Sequence, residues 1–353
     1  MQPNILIVAH AQSGGTLTYI KSLQQLKNFN TTTHFLNPQI NFTNINHQLS
    51  LYRLLYRQRK NLLNTIKNNQ PSLVISVGTL ANLQTTYLNK PHLFTHLATH
   101  HTPPLLTLKT YFQSITPLLK LLLPRIYAPT THHLSISKEL ATHIAHDLKL
   151  PLTSIHIIQN GVPLTTPPPS PKKLTSPLKL LYIARFTPQK DPYTLIRSLP
   201  YLPPNLKYHL TIVGQGPTLN QTKQLTNQLN LHHSITFINH TKNINLLYQQ
   251  HHLFILTSHY EGLPYTILEA LSHALPVIAT NIPTGPKEII GHHSCGILVP
   301  PQQPYSLAKA IIALTNPQTY HLYSQQAIKR SHQFSQTRML KQYTQLINKL
   351  LTL

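Results

Sequence analysis

The sequence predicts an α/β protein built from two doubly wound domains with parallel sheets. Short apolar runs of strand length alternate with longer helical patterns, as in NILIVAH, SLVISVG, LKLLYIAR and LFILTS. Apolar strands separated by helices are typical of parallel sheets covered on both faces. A length of 353 residues with 41% apolar content is enough for two hydrophobic cores. We therefore expect two Rossmann-like domains that face a central cleft.

A Pro-rich segment divides the two halves. VPLTTPPPSPKKLTSP ends at Pro177 and is typical of a stiff linker. We predict a first domain over residues 1–164, a linker over 165–177 and a second domain over 178–332. The closing residues 333–353 are predicted to form a helix. Ligands of doubly wound sheets bind beyond the carboxyl ends of the strands, so the loops that follow the strands are the candidate site.

The basic charge of the chain reflects missing acids rather than added bases. The formal net charge is +23, but only 29 residues are Lys or Arg and only 6 are Asp or Glu. An average chain of this length carries roughly 12% basic residues, which is more than are present here. We therefore predict no specific nucleic-acid partner. The scarcity of acids and glycines makes each remaining one informative.

Cysteine content and hydropathy favour a cytoplasmic protein. Cys295 is the single cysteine, which excludes disulfides within the chain and suits a reducing compartment. The apolar run Ile5 to Ala9 is too short for the core of a signal peptide and is predicted to be a buried strand. The longest apolar stretch, LLKLLLPRIYA, is interrupted by charges and is shorter than the ~18 residues of a membrane-spanning helix.

Three loops carry residues suited to binding phosphate. Gly14 and Gly15 follow the first strand, where backbone N–H groups at a helix start can approach an anion, although a plain tight turn explains them equally well. Arg185 and Lys190 follow LKLLYIA and could clamp a diphosphate, or could be solvated loop cations. Gly214 and Gly216, in VGQGP, again allow close backbone approach.

The segment YEGLPYTILEA holds two of the six acids, Glu261 and Glu269. Glu261 is predicted in a loop at a strand end, and Glu269 about one turn into the following helix. A carboxylate accepts two hydroxyl hydrogens, which suits the vicinal diol of a ribose or a sugar ring. The alternatives are a favourable charge near a helix N-terminus for Glu261 and a solvated helix face for Glu269.

The segments ARFTPQKD, VGQGP, TSHYEGLPYTILEA and PTGPKEII, in this order, resemble the retaining glycosyltransferases of the GT-B fold, family four. The resemblance covers nearly the whole chain, and the two glutamates with seven residues between them are its most specific feature. It implies transfer of a hexose from a nucleotide-diphosphate sugar, without a metal, to a glycan or lipid-linked acceptor in polysaccharide biosynthesis. In this fold the C-terminal helix crosses back to the first domain.

The resemblance also implies roles for individual residues. Arg185 and Lys190 would neutralise the donor diphosphate, Glu269 would bind the ribose and Glu261 would contact the transferred sugar. His101, in ATHHTPP, resembles the active-site histidine of the family. Two sets complete the implied site: the catalytic residues His101, Glu261, Arg185 and Lys190, and the donor-binding residues Gly14, Gly15, Arg185, Lys190, Gly214, Gly216, Glu261, Gly262, Leu263 and Glu269.

Three positions depart from the family pattern. Ala184 and Ala274 stand where glycine is usual, and His252 stands where aspartate is usual. All three replacements avoid a residue type that is scarce throughout this chain. No Asp-x-Asp motif is present and the 24 histidines show no metal-ligand spacing, so neither a metal nor another cofactor is expected.

Two other functional classes remain open from the sequence. A nucleotide-sugar epimerase has a similar architecture but would need additional acids for proton transfer. A basic scaffold for nucleic acid or membrane is the other alternative, and LYRLLYRQRKNLLNTI at 51–66 is its best segment. That segment is also typical of a basic amphipathic helix on an anionic membrane surface, which would place the protein peripherally at the inner membrane face. A packed helix with one solvated side is equally compatible.

Overall fold

The computed structural model describes residues 2–9, 14–36, 48–89, 93–111, 116–165, 169–241, 243–292 and 295–352. The chain forms two compact units. The first comprises Met1–Asn160 together with Thr337–Leu353, and the second comprises Gly161–Gln336.

The first unit contains a six-stranded parallel sheet in the order β2-β1-β3-β4-β5-β6. Its strands β1 to β6 are Asn4–Ala9, Asn30–Phe35, Leu73–Val77, Thr95–His100, His132–Ser135 and Ile155–Ile157. Its helices α1 to α6 are Gly15–Leu23, Gln48–Asn69, Thr79–Leu88, Pro104–Tyr111, Thr116–Tyr127 and Lys138–Leu148. All five residues of β3 are buried, as expected for a strand covered by helices on both faces.

The second unit contains another six-stranded parallel sheet, in the order β9-β8-β7-β10-β11-β12. Its strands β7 to β12 are Leu178–Ile183, Tyr208–Val213, Ile235–Ile238, Leu253–Leu256, Val277–Thr280 and Gly296–Val299. Its helices α7 to α13 are Pro192–Ser198, Leu219–Gln228, Ile244–Gln250, Tyr265–Ser272, Pro286–Ile290, Pro304–Ala313 and Pro317–Ser331. The prediction of two doubly wound α/β domains is confirmed.

The strand order fixes where a ligand site is expected in the second unit. Strand order reverses between β7 and β10, because the chain runs outward to β9 on one side and to β12 on the other. The loops that leave such a pair of strands diverge and open a crevice at the carboxyl edge. Here those loops begin at Ala184 and Thr257. In the first unit the reversal falls between β1 and β3.

The Pro-rich segment belongs to the second unit. The division between the units falls at Asn160, four residues before the end of the predicted first domain. Lys172 of this segment donates hydrogen bonds to the carbonyl oxygens of Tyr248 (2.6 Å) and His251 (2.9 Å). The segment therefore packs at the amino edge of the sheet, where a groove of about 660 Å³ separates it from α13.

The C-terminal helix α14, Gln336–Leu351, falls largely in the first unit. Its buried face includes Met339, Tyr343 and Ile347. The hydroxyl of Tyr343 forms a short hydrogen bond with the hydroxyl of Tyr19 on α1. Burial and this hydrogen bond tie the end of the chain to the first helix of the same unit.

Helix α2 covers the segment predicted as a membrane-contacting helix. Leu62 and Ile66, two apolar residues of that segment, are buried in the core of the first unit. Arg59 lies over the ring of Tyr87, with its guanidinium carbon 3.2 Å from the ring centroid. The side chains of residues 51–57 are outside the described part of the structure. Among the described helices, none combines the length and apolar content needed to cross a bilayer.

Candidate functional site

The loops after β7 and β10 bring Lys190 and Glu261 into contact. Nζ of Lys190 donates a short hydrogen bond to Oε1 of Glu261, and the two side chains are only 15% and 8% exposed. An ion pair that is shielded from water is stronger than one on the surface, and breaking it leaves a buried charge. The sequence predicted both residues in the site but not that they pair with each other.

The main chain of Lys190 is held as firmly as its side chain. A turn of 3-10 helix, Pro188–Lys190, precedes α7. The carbonyl oxygen of Lys190 accepts hydrogen bonds from the hydroxyls of Tyr182 (2.7 Å) and Thr257 (3.1 Å). The turn is also joined to the loop after β10, because His259 N donates to Gln189 O at 2.8 Å. The two switch-point loops thus form one rigid structure.

Glu261 is fixed by the loop that carries it. The hydroxyl of Ser258 donates to Oε1 at 2.6 Å, and the hydroxyl of Thr284 donates to the Glu261 carbonyl oxygen. Its other carboxylate oxygen, Oε2, accepts no hydrogen bond from the described residues. This carboxylate therefore has one oxygen held by the protein and one that can accept a hydrogen from a ligand.

Arg185 lies in the same loop as Lys190 but is not part of this pair. Its side chain is exposed and forms no hydrogen bond or ion pair with the described residues. A guanidinium presents five N–H donors, so Arg185 keeps its full capacity for a phosphate. Of the two predicted cations, Lys190 is therefore already paired with a carboxylate, whereas Arg185 has no partner among the described residues.

The glycines of VGQGP are required by the packing of the protein itself. A Cβ at Gly214 would lie 1.9 Å from the carbonyl oxygen of Ala184, and one at Gly216 would lie 2.2 Å from that of Phe186. Both glycines have positive φ, at 150° and 149°. The loop after β8 thus presses against the loop that carries Arg185. The alanine at 184 fits, because its φ is not positive.

Glu269 lies on α10 and is partly buried, so it is not on a solvated helix face. The hydroxyl of Tyr248 donates to its Oε2 at 2.8 Å. Burial raises the pKa of the Glu269 carboxyl, and the hydrogen bond from Tyr248 lowers it. Its second oxygen, Oε1, accepts no hydrogen bond from the described residues.

The turn between the two glutamates is closely packed. Helix α10 begins at Tyr265, with Pro264 as its N-cap. Leu263 is buried, and the Gly262 carbonyl oxygen would be 2.7 Å from a Cβ added at Gly285. Ile267, Leu268 and Leu271 form part of the buried side of the helix. Leu275 is also buried but lies beyond the helix end.

The predicted residues of the first unit occupy two loops of its sheet. Gly14, with φ 68°, caps α1, and Gly15 is its first residue. His101 directly follows β4, and its ring meets the ring of Tyr19 edge to face at 4.5 Å between centroids. Burial lowers the pKa of His101 to about 4, so the ring is neutral near pH 7. Its Nε2 has no hydrogen-bond partner among the described residues.

His100 has a different role from its neighbour. Its Nε2 lies 3.2 Å from Nδ1 of His133, and the two rings are stacked 5.5 Å apart. Burial is the main cause that lowers the pKa of His100 well below its usual value. A buried histidine with these partners is a core residue. His101, with an unpartnered ring nitrogen, remains the histidine suited to a ligand.

Sequence reasoning missed the residues that support the site. Ser258 and Thr257 stand in the motif that was recognised, so their place at a strand end was a usable signal. Tyr248 lies 21 residues from Glu269 and on a different helix, so nothing in its local sequence pattern indicates that contact. Within the described part of the chain, His, Cys, Asp and Glu side chains form no group of three or more that could hold a metal ion.

Comparison with known proteins identifies the class. Solved structures that share this architecture across nearly the whole chain have the GT-B fold. One of these, HepE from Anabaena in complex with UDP-glucose, superposes with a TM-score of 0.81 at 16% identity, covering 98% of this chain and 100% of HepE. Residues 167–330 match the family model Glycosyl transferases group 1. The match to this family model lies within the second unit and covers less than half of the chain.

Curated relatives match parts of the chain. An uncharacterized glycosyltransferase of Methanocaldococcus jannaschii is 40% identical over 111 residues, covering 31% of this chain and 27% of the relative. An N-acetylgalactosaminyltransferase of Campylobacter jejuni, whose name specifies an undecaprenol-diphosphate-linked acceptor, is 25% identical over 143 residues, covering 40% of this chain and 39% of the relative. These matches span less than half the length of either relative.

Proposed function

We propose that the protein transfers a hexose from a nucleotide-diphosphate sugar to an acceptor, with retention of the anomeric configuration. The observation that carries this proposal is the contact between Lys190 and Glu261 at the switch point of the second sheet, with the exposed Arg185 in the same loop as Lys190. Cations and a carboxylate in one crevice suit a ligand that joins a diphosphate to a hydroxyl-bearing sugar. The UDP-glucose bound to HepE, a protein of the same fold, supports a nucleotide-sugar donor.

The proposed chemistry rests on charge stabilisation. As the bond between the sugar and the diphosphate breaks, negative charge develops on the bridging oxygen. Arg185 and Lys190 would stabilise that charge without a metal. Lys190 can do so while it is paired with Glu261, because an ammonium has three donors and the carboxylate uses one.

Glu261 is proposed to act on the sugar. A carboxylate next to the anomeric carbon stabilises the positive charge that develops there, and retention would follow from front-face attack by the acceptor within an ion pair. His101, in the first unit, is neutral near pH 7, and its buried Nε2 has no hydrogen-bond partner among the described residues. A glycan or lipid-linked acceptor in polysaccharide biosynthesis is the proposed second substrate, as the Campylobacter relative's name supports.

Ligand-induced stabilisation of the full chain tests the donor site. UDP, GDP and ADP, each alone and as its glucose conjugate, are compared by thermal shift. A ligand at 100 times its Kd adds about 2.7 kcal/mol to the free energy of unfolding, which is easily measured. We expect one base to stabilise the protein clearly and Arg185→Ala to abolish the shift. An unchanged melting temperature with every ligand would refute the donor site.

We also propose cytoplasmic location with peripheral contact at an anionic membrane surface, through charge alone. Leu62 and Ile66 are in the core, so no apolar insertion by these two residues is expected. Arg59 and the exposed Lys60 remain available, and a basic residue near an anionic surface contributes about 1 kcal/mol. Flotation with phosphatidylserine vesicles should therefore fall steeply with salt and after charge reversal of Arg53, Arg57, Arg59 and Lys60. Binding that resists both changes would contradict this mode.

A further inference from the structure

Tyr248 is a buried residue on α9 whose hydroxyl reaches the neighbouring helix α10. It donates to Oε2 of Glu269 at 2.8 Å, and the carbonyl oxygen of Thr266 lies 3.4 Å from the same hydroxyl. Burial raises the pKa of Tyr248 well above its usual value, so the hydroxyl keeps its proton and acts as the donor. The Glu269 carboxylate is therefore the acceptor in this bond.

The position of the Tyr248 ring is fixed from three sides. It stacks on the ring of His273, with 5.3 Å between centroids and 25° between planes, and packs against Phe254 at 5.9 Å. Lys172 donates to the Tyr248 carbonyl oxygen and holds the end of α9. A hydroxyl on such a fixed ring lies in one place before any ligand arrives.

The hydrogen bond from Tyr248 gives the two carboxylate oxygens of Glu269 different roles. Oε2 is taken by Tyr248, whereas Oε1 has no donor among the described residues. Without the tyrosine, the carboxylate would be free to rotate and its burial would favour the protonated, neutral form. A protonated carboxyl is a poor acceptor for a diol.

We propose that Tyr248 is a positioning residue for nucleotide recognition: it holds Glu269 so that Oε1 accepts the hydrogen of the ribose 2′-hydroxyl, which makes the site select ribonucleotides over 2′-deoxyribonucleotides. This inference rests on the proposed function, since it needs a nucleoside diphosphate in the second unit. It adds a residue on α9 to the donor site and assigns that residue a measurable selectivity.

The test compares affinities for a ribonucleoside diphosphate and its 2′-deoxy form by calorimetry on the full chain. The pair is UDP and dUDP, or the corresponding pair for the base that the thermal-shift series selects. We expect the native protein to prefer the ribonucleotide, and Tyr248→Phe to weaken its binding about tenfold, as loss of a bond to a charged group predicts. Deoxynucleotide binding should change little, so the preference should largely disappear.

Two further variants separate positioning from structural damage. Tyr320→Phe is the matched control, because Tyr320 is also buried in the second unit and its hydroxyl has no partner among the described residues. It should leave both affinities unchanged. Glu269→Gln should remove the preference by itself, and adding Tyr248→Phe to it should have no further effect, because the two residues act through one bond.

The pH dependence of binding gives an independent readout. Tyr248→Phe removes the hydrogen bond that lowers the Glu269 pKa, so the acid loss of ribonucleotide binding should shift to higher pH. If Tyr248→Phe keeps both the preference and the pH profile, the positioning role is refuted and the donor site stands. If the native protein binds none of the diphosphates, the donor site itself is refuted and this inference with it.

Discussion

The side chains at the carboxyl edges of the two sheets differ in chemistry, although the two sheets share one architecture. At the carboxyl edge of the second sheet lie Lys190, Glu261 and the exposed Arg185, whereas the first sheet ends at His100 and His101, whose pKa values burial keeps below the usual range. The second edge therefore carries charge near pH 7 and the first carries neutral polar groups. Strand order decides where a site can form, but the side chains at the strand ends decide what it can bind.

The packing of the loops also differs between the carboxyl edges of the two sheets. In the second unit the loops after β7, β8 and β10 are pressed together, with glycines where backbones meet. In the first unit a Cβ at Gly14 would meet none of the described residues within 4 Å. A substitution therefore has little room at the charged edge, whereas no described residue crowds Gly14 beside α1.

The largest expected effect is the loss of stability when a Cβ is added at a glycine of the closely packed second edge. Gly214→Ala should lower the free energy of unfolding by about 4 kcal/mol or more, because the new Cβ would meet the Ala184 carbonyl oxygen at 1.9 Å. Gly14→Ala is the matched control: it strains the backbone at φ 68° but meets no atom of the described residues, so about 1 to 3 kcal/mol is expected. Urea unfolding of both variants measures this. Equal losses would show that close packing does not distinguish the two edges.

The second largest effect is expected on turnover, when the cations at the edge of the second sheet are removed. Arg185→Ala and Lys190→Ala should each lower turnover about a hundredfold or more, as loss of a charge contact in the transition state does. Lys190→Ala should also destabilise the fold, since it leaves Glu261 buried without its partner. Lys207→Ala, an exposed lysine in the same unit, is the control and should change neither property. Near-normal turnover in both site variants would refute the proposed role of Arg185 and Lys190 in binding the diphosphate.

The two glutamates should separate kinetically. Glu269 would hold the ribose equally in ground and transition states, so Glu269→Gln should raise the donor KM about tenfold with little change in kcat. Glu261 would act as positive charge develops on the sugar, so Glu261→Gln should mainly lower kcat. Steady-state kinetics with varied donor measures both. The same defect in the two variants would contradict this division of roles.

The smallest expected effect is the pH dependence of folding stability that arises from the buried histidines of the first sheet. Burial lowers the pKa of His96 to about 3 and that of His133 to about 4, below the unfolded value of 6.5. Between those values the unfolded chain binds more protons, so folding stability is complete above about pH 6.5 and falls as pH decreases toward 4. Each histidine contributes up to about 1.4 kcal/mol per pH unit.

Hydrogen exchange can locate this loss. Strands β4 and β5 carry His96, His100 and His133, which lie close to one another, so they should lose protection before β10 and β11 when pH falls from 7 to 5. The second unit has acid-sensitive histidines too, including His252 with its pKa lowered to about 4. Rates at pH 7 and 8, corrected for intrinsic exchange, are the reference. Earlier loss in β10 and β11 would reverse the comparison.

The sequence by itself determined the doubly wound fold and the composition of the charged edge. Apolar runs of strand length are local signals, and so are the loop residues that follow them, such as Arg185 and Lys190. The resemblance also placed Glu261 and Glu269 around one turn. These features could be predicted because each depends on residues that are close together in the chain.

Tertiary structure alone decided which of these groups are paired and which are open. The bond between Lys190 and Glu261, the hydroxyl of Tyr248 on Glu269 and the close approach of Gly214 to Ala184 all join segments separated by 21 to 71 residues in the chain. Such contacts depend on strand order and loop packing, which leave no local pattern. The same cause placed Leu62 in the core rather than at a surface: the neighbouring sheet, and not the pattern of the helix, decides which face of an amphipathic helix is covered.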